Sequence, residues 1–349
     1  MKPMLAKATK EIPSGDYLFE PKWDGFRCIV FRDDDEVMLG SRNEKPLTRY
    51  FPELIEPIMR MLPARCVMDG ELVVPGPDGL DFDLLQQRIH PADSRVRMLA
   101  ETTPAHLVLF DLIALDDLDL RTLPLRERRA TLEQLLEEVE PPLHLTPATT
   151  DPVRADDWFQ RFDGSGFDGV MAKALDGPYV SDKRVQLKVK HHRTADCVVA
   201  GYRLHKDGGV GSLLLGLFDD ASPPMLHHVG VASAFSASQR RTLAAELAPY
   251  EDGGVDAHPW KAWADAEAHD TQRMPGAPSR WSGGKTAEWV PLRCELVVEV
   301  TYENLTSGRF RHPARFVRWR PDKDPAQCDY DQLEHPPPVE YTEIFDAPD

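Results

Sequence analysis

The stretch EPKWDGFR, residues 20–27, sets a charged, glycine-containing turn directly behind the apolar pair Leu18-Phe19. Two readings fit it. Lys22 can be an ordinary polar residue at a strand end, or it can be held there to attack an electrophile. If residues 18–22 form a strand entering a turn at Asp24-Gly25, the Lys22 side chain stands where it can project into a cleft. A free lysine has a pKa near ~10.4, so only about one in a thousand or fewer is unprotonated at neutral pH. An attacking lysine therefore needs burial, a neighbouring cation or a metal ion to shed its proton.

Further along, LKVK (187–190) places Lys188 and Lys190 two residues apart, so on a strand both point to one face. Lys22, Lys188 and Lys190 converging on a triphosphate would bind it, and the cluster would discourage a third ammonium. Taken alone, KWDG is more often a structural turn.

The rest of the chain bounds these two readings. Its 349 residues exceed what one core usually holds, which predicts two domains. Hydrophobic residues at 42% and charged residues at 28% exclude a disordered or membrane-embedded chain. No apolar run of 18 residues occurs and the opening MKPMLAKATKEIP is no apolar leader, which predicts a cytoplasmic protein. Cys28, Cys66, Cys197, Cys294 and Cys328 are scattered, with no C-x-x-C pair, and so predict free thiols rather than a zinc site or a disulfide framework.

A net charge of −17 would repel nucleic acid if it were evenly spread. It is not. Acidic residues crowd 101–170 and 251–270, while basic residues gather in KRVQLKVKHHR (183–193) and SGRFRHPARFVRWRPDK (307–323). In the second run arginines alternate with Phe310, Phe316 and Trp319. Either run alone could be a solvated strand face; together, on an acidic protein, they predict a groove for a phosphate backbone.

FRCIVFR, EVMLGS, VMDGELVV, AHLVLFDLIAL and DGVMAK are short and apolar, bounded by Asp, Gly and Pro, and predict strands. RYFPELIEPIMRML, DFDLLQQRI and LRERRATLEQLLEEV repeat apolar residues at helical spacing between them. Residues 1–193 are therefore expected to be sheets packed with helices. From residue 194 the pattern changes to ADCVVAGYRL, GSLLLGLFDD and MLHHVGVAS, a helix opened by a capping box of Ser236 and Gln239, then ELVVEVTYENL and ARFVRWR. Strands with one helix among them suit a small OB-type barrel over 194–349, with a long loop at about 251–285 and a short C-terminal tail. SGGKT (282–286) imitates the end of a P-loop, but Ser279 stands where the motif requires glycine, so no Walker site is expected.

On these residues the chain resembles the lysine-adenylating nucleotidyltransferases, specifically the ATP-dependent DNA ligases, and looks most like their short bacterial ligase C type. Six ordered motifs run from residue 20 to residue 323. Lys22-Trp23-Asp24-Gly25-Phe26-Arg27 matches K-x-D-G-x-R, Ser41-Arg42-Asn43 the next short motif, and Asp69-Gly70-Glu71 the third. Phe110-Asp111 lies where the family keeps an aromatic residue. Asp168-Gly169-Val170-Met171-Ala172-Lys173 resembles E-G-x-x-x-K, Leu187-Lys188-Val189-Lys190 resembles x-K-x-K, and Arg318-Trp319-Arg320-Pro321-Asp322-Lys323 resembles the final motif.

The resemblance implies an α+β fold, a nucleotidyltransferase (adenylation) domain of antiparallel sheets with helices followed by an OB-fold β-barrel. It implies ATP and Mg²⁺ or Mn²⁺ as cofactors, Lys22 forming lysyl-AMP, transfer of AMP to the 5′-phosphate of a nick, and sealing by the 3′-hydroxyl. Carried over, Glu20 would read the adenine amino group and Phe110 would stack on the ring, while Arg27, Arg42 and Glu71 would hold the ribose and the nick phosphate. Lys188 and Lys190 would grip the α-phosphate, Arg320 and Lys323 would orient pyrophosphate, and Asp168 and Glu71 would face the metal. Out of that context Glu71 reads as a satisfied strand-end carboxylate and Phe110 as a core aromatic.

The family commonly has glutamate where this chain has Asp168, so the carboxylate reaches about one methylene less far. The implied partners are nicked double-stranded DNA and, in repair, a Ku-type end-joining protein or a repair polymerase. The enzyme would be monomeric and nucleoid-associated when on DNA. Two other readings stand beside this one: an RNA-end ligase or other nucleotidyltransferase of the superfamily, and a non-catalytic DNA-end-binding scaffold needing only the basic faces.

Overall fold

The computed structural model describes residues 1–349 except 78, 164, 252–257, 261–288, 307, 334–339, 341 and 347–349. The loop expected at 251–285 lies, apart from Glu251 and residues 258–260, outside the described residues, as does SGGKT. The chain forms two compact units, Met1–His191 with His335–Asp349, and His192–Glu334.

Among the described residues the first unit holds two large sheets and a two-stranded one, Pro75–Gly76 with Gly79–Leu80. One large sheet orders the strands Leu5–Thr9, Arg184–Val189, Phe167–Ala174 and Tyr17–Trp23. The other runs Leu143–Leu145, His106–Leu115, Arg65–Val73, Phe26–Asp33 and Glu36–Ser41. Most neighbours are antiparallel, as expected, but Leu5–Thr9 lies parallel to Arg184–Val189 and Leu143–Leu145 parallel to His106–Leu115. A parallel neighbour cannot be joined by a tight hairpin, so these edge strands come from distant sequence and carry no local turn signal.

The stretch expected to be one helix at 49–62 is two 3₁₀ turns followed by a short helix, Ile55–Met61. Pro52 starts the second turn and Pro57 sits in the first turn of the helix, where a missing N–H is tolerated. Two helices escaped the sequence reading, Asp93–Thr102 and Pro152–Arg161. The second opens on Asp151, whose side chain accepts from the Val153 N–H, with proline following at the first helical position. The dipeptide DP was its legible signal.

The second unit orders Leu226–Ala232, Val210–Phe218, Arg193–Leu204, Val297–Tyr302 and Arg315–Trp319 antiparallel. Ala314 closes the ring: its N–H donates to the Val231 carbonyl at 2.8 Å, and its carbonyl accepts from the Ser233 N–H at 3.2 Å. The result is the OB-type barrel, filled by residues such as Leu213, Leu215, Leu226, Val298 and Val300. Its helix, Ala237–Leu247, begins with the capping box expected of Ser236 and Gln239.

The end of the chain corrects one expectation, that the second domain runs to residue 349. Ile344, 1% exposed, is buried with Phe19, Trp23 and Trp158 of the first unit. Phe345 stacks on Trp23 and His144, with ring centroids 5.5 and 4.9 Å away. A helix of four residues, Glu343–Asp346, is too short to show periodicity in sequence.

Candidate active site

Lys22 stands one residue before the end of the strand Tyr17–Trp23. The next residues turn back sharply: a Cβ on Gly25 would run into the Leu72 carbonyl, so only glycine fits the turn. Pairing with Phe167–Ala174 sets Glu20 opposite Met171 and Trp23 opposite Phe167, and so brings Asp168 to Lys22. The Lys22 Nζ donates to Asp168 Oδ2 at 2.6 Å. On the other side of Phe167–Ala174 runs Arg184–Val189, with Lys188 opposite Met171. Just past its end, Lys190 Nζ reaches the same Asp168 oxygen at 3.0 Å. Gly169 makes this approach possible, since its φ is +120° and a Cβ there would strike the Val189 carbonyl.

Burial pushes the Asp168 carboxyl up, but Lys22 and Lys190 outweigh it and hold the group well below the usual carboxylate range. Asp168 is 8% exposed and Lys22 19%, so the pair is shielded yet reachable. Sequence reasoning expected cations around Lys22. The structure adds that a carboxylate stands between Lys22 and Lys190.

Glu20 is buried on the same strand. Lys173 Nζ lies 2.6 Å from its Oε2, while Arg129 Nη1 is 3.7 Å from Oε1, beyond hydrogen-bond reach. Oε1 is thus a buried acceptor without a hydrogen-bond donor among the described residues. Such an atom is costly to leave unmade, and an amino group is what it lacks. Two cations lie against the ring of Phe110, Arg27 Cζ at 4.5 Å and Lys173 Nζ at 4.4 Å from its centroid. Lys173 closes the fourth quoted motif but received no role from sequence; its partnership with Glu20 follows only from strand pairing.

Arg27 makes a two-pronged ion pair with Asp69, Nε–Oδ1 2.5 Å and Nη2–Oδ2 2.6 Å, and Tyr179 Oη donates to Oδ2 at 2.6 Å. Neither Asp69 nor Tyr179 was assigned from sequence. Glu71 pairs across the sheet with Arg27. Burial pushes its carboxyl up to about 7, with Arg27 and Lys22 opposing the rise and Asp24 and Asp69 adding to it. Arg42 lies exposed past the end of Glu36–Ser41, with no hydrogen bond or ion pair among the described residues. Arg320 Nη1 and Lys323 Nζ, in the second unit, converge on Asp196 Oδ2 at 2.8 and 3.0 Å.

A family model for the ATP dependent DNA ligase domain matches residues 3–190, and one for the ATP dependent DNA ligase C terminal region matches residues 206–323. The chain belongs to the ATP-dependent DNA ligase family. The ligase is 55% identical to DNA ligase C2 of Mycolicibacterium smegmatis over 339 residues, 96% of this chain and 94% of that one. It is 52% identical to DNA ligase C of Mycobacterium tuberculosis over 348 residues, 98% and 96% of the two chains. A solved structure from a structure-function analysis of Lig E DNA ligases matches with a TM-score of 0.53 at 17% identity, over 92% of this chain and all of that one, which shows the shared fold. The ligase is thus an enzyme of the short bacterial type, using ATP and a divalent metal to seal nicks in DNA.

The residues fit both cofactors. The orphaned Glu20 Oε1 suits the adenine amino group. Among the described residues no three His, Cys, Asp or Glu side chains gather into a metal cage. Mg²⁺ needs no such cage, and Asp168 and Glu71 are the two carboxylates that would hold it.

Proposed function

We propose that Lys22 is the residue this ligase adenylates, and that its sealing activity serves DNA repair. The observation that carries the first part is the single Asp168 oxygen holding both Lys22 and Lys190 at the strand ends. The neutral Lys22 amine attacks the α-phosphorus of ATP; an N–P bond forms, the bond to the bridging oxygen breaks, pyrophosphate leaves with the electron pair, and the proton released from nitrogen passes to solvent. Asp168, held ionised by its two lysines, is too weak a base to keep the amine's proton, so its part is to aim the amine.

Lys188 and Lys190 hold the α-phosphate, Glu20 Oε1 receives the adenine amino group, and Phe110 stacks on the ring. Arg27, Arg42 and Glu71 serve the ribose and the nick phosphate. Arg320 and Lys323 orient the departing pyrophosphate. A divalent ion held by Asp168 and Glu71 would supply charge neutralisation on the phosphates. AMP then passes to the 5′-phosphate of the nick, and attack by the 3′-hydroxyl releases it.

Support for repair is chemical: excision followed by refilling leaves the 5′-phosphate/3′-hydroxyl nick that this sequence of steps consumes. A Ku-type end-joining protein or a repair polymerase fits as partner of a monomeric, cytoplasmic, nucleoid-associated ligase. Among the described residues no helix is long and apolar enough to cross a membrane. Incubating wild type and Lys22→Ala with α-labelled ATP and Mg²⁺ or Mn²⁺, followed by a denaturing gel, tests the assignment. A labelled band only in wild type is expected. Label retained in the variant moves the nucleophile elsewhere, and presenting DNA and RNA nicks afterwards separates a DNA ligase from an RNA-end ligase.

A further inference from the structure

We propose that Asp196 is a positioning residue for adenylation, fixing Arg320 and Lys323 so that their remaining N–H groups meet the departing pyrophosphate. The proposal rests on the reading of Arg320 and Lys323 given above. Asp196 lies on the first barrel strand, Arg193–Leu204, in the otherwise apolar run ADCVVAG. It sits opposite Glu299 on Val297–Tyr302, and Glu299 sits opposite Arg318 on Arg315–Trp319. Directly paired residues share a sheet face, and so do residues two apart on one strand, so the chain brings Asp196, Glu299, Arg318 and Arg320 to one side of the barrel wall. Arg320 Nη1 reaches Asp196 Oδ2 at 2.8 Å and Lys323 Nζ reaches it at 3.0 Å.

The strand under Asp196 is itself held. Gln332 accepts from the Asp196 N–H at 2.7 Å and donates back to its carbonyl at 3.1 Å. The Asp196 side chain is 12% exposed, and its Oδ1 is buried with no hydrogen-bond partner among the described residues, so the two cations on Oδ2 are the carboxylate's compensation. Drawing both away would leave an uncompensated buried carboxylate.

Neither cation needs to leave. A guanidinium carries five N–H groups; Arg320 gives one to Asp196 and, through Nε and Nη2, two to Asp322, which leaves two. An ammonium carries three; Lys323 gives one to Asp196, which leaves two. Asp196 can keep its grip while both cations present donors to a phosphate.

The test measures single-turnover lysyl-AMP formation by the full chain with α-labelled ATP, in wild type, Asp196→Asn, the Arg320→Ala/Lys323→Ala double variant, and the triple combination. Asp196→Asn is expected to slow the step about tenfold at saturating ATP. It should add nothing in the background lacking both cations, and Asp196→Glu should recover part of the rate. A merely structural aspartate would instead impose the same fold loss in both backgrounds, and that outcome overturns the proposal, as does a wild-type rate for Asp196→Asn. If Asp196→Asn fails to fold, Asp196→Glu takes its place in the same cycle. A double variant adenylated at the wild-type rate would overturn the role assigned to Arg320 and Lys323 themselves, a separate failure from that of Asp196.

Discussion

Among the described residues, each unit of the ligase has an aspartate with two cations on a single oxygen. Asp168 holds Lys22 and Lys190 at 2.6 and 3.0 Å; Asp196 holds Arg320 and Lys323 at 2.8 and 3.0 Å. The likeness ends with what the cations must do. On the proposed reading Lys22 becomes covalently bonded to phosphorus and must quit its carboxylate, whereas Arg320 and Lys323 form no bond and can stay. A lysine amine is a compact point charge that lets go as a unit, while a guanidinium has donors enough for two partners at once. The first cluster is therefore built to be broken at each turnover and the second to persist.

The largest expected effect tests that contrast. Asp168→Ala should lower the rate of lysyl-AMP formation by about a thousandfold, against about tenfold for Asp196→Asn, because one aims the nucleophile and the other steadies groups behind the leaving pyrophosphate. Equal losses in single-turnover adenylation would erase the distinction. Asp168→Glu, which lengthens the reach, should retain most of the rate and saturate at lower Mg²⁺; full activity of Asp168→Ala across a metal titration would remove Asp168 from the metal site altogether.

A second test separates clusters that act from ion pairs that only stabilise. Arg128 and Asp111 are fully buried and bonded through two prongs, 2.8 and 3.0 Å. Arg128→Leu strands the Asp111 charge and should cost about 3 kcal/mol in urea unfolding, with Arg128→Leu/Asp111→Leu recovering much of it. Arg318 and Glu299 are also an ion pair, at 2.7 Å, but the arginine is 60% exposed, so Arg318→Leu should cost less than about 1 kcal/mol. A large loss at Arg318 would mean that the barrel face carries stability as well as chemistry.

How far the sequence revealed these clusters follows from which interactions are local. The Lys22 turn, the strands beginning at Phe26, Arg65 and His106, and the Ser236 capping box rest on adjacent residues and were legible. Asp168 and Lys190 were legible one by one but not as partners, because their meeting depends on strand register and on the close approach at Gly169. Asp196 had no signal at all: one aspartate in an apolar strand acquires meaning only from Arg320 and Lys323, more than a hundred residues further along the chain. Lys173, Asp69 and Arg128 were hidden in the same way, each waiting on a residue far along the chain.

The basic tract around the second cluster should divide by function. Arg315, exposed at the strand start, is expected to contact DNA phosphate and not nucleotide. Nick affinity of the wild type should fall steeply between low and physiological salt, and Arg315→Ala should flatten the log–log slope by roughly one while leaving lysyl-AMP formation unchanged. An unchanged slope would remove Arg315 from the DNA face, and a salt-insensitive wild type would remove the whole tract.

The smallest expected effect concerns a contact between stacked rings. In the first unit His144 stacks between His106 and Phe345, and its Nε2 lies 2.9 Å from His106 Nδ1. Burial lowers the His144 pKa to about 4, with His106 adding to the fall. A histidine whose folded pKa lies below its ordinary value near ~6.5 binds fewer protons folded than unfolded in that interval. Its contribution is thus intact above about pH 6.5 and drains away as pH falls toward 4. Asp168 and Asp196 offer the cations around them a charge to pair with; His144 is stacked between rings, and burial and His106 both oppose its protonation. Melting temperatures of wild type and His144→Phe should run parallel above pH 7 and separate by a few degrees as the pH drops to 5, with the variant higher, because phenylalanine keeps the stack on Phe345 and cannot take a proton. Parallel curves down to pH 5 would mean that His144 accepts its proton without disturbing the stack.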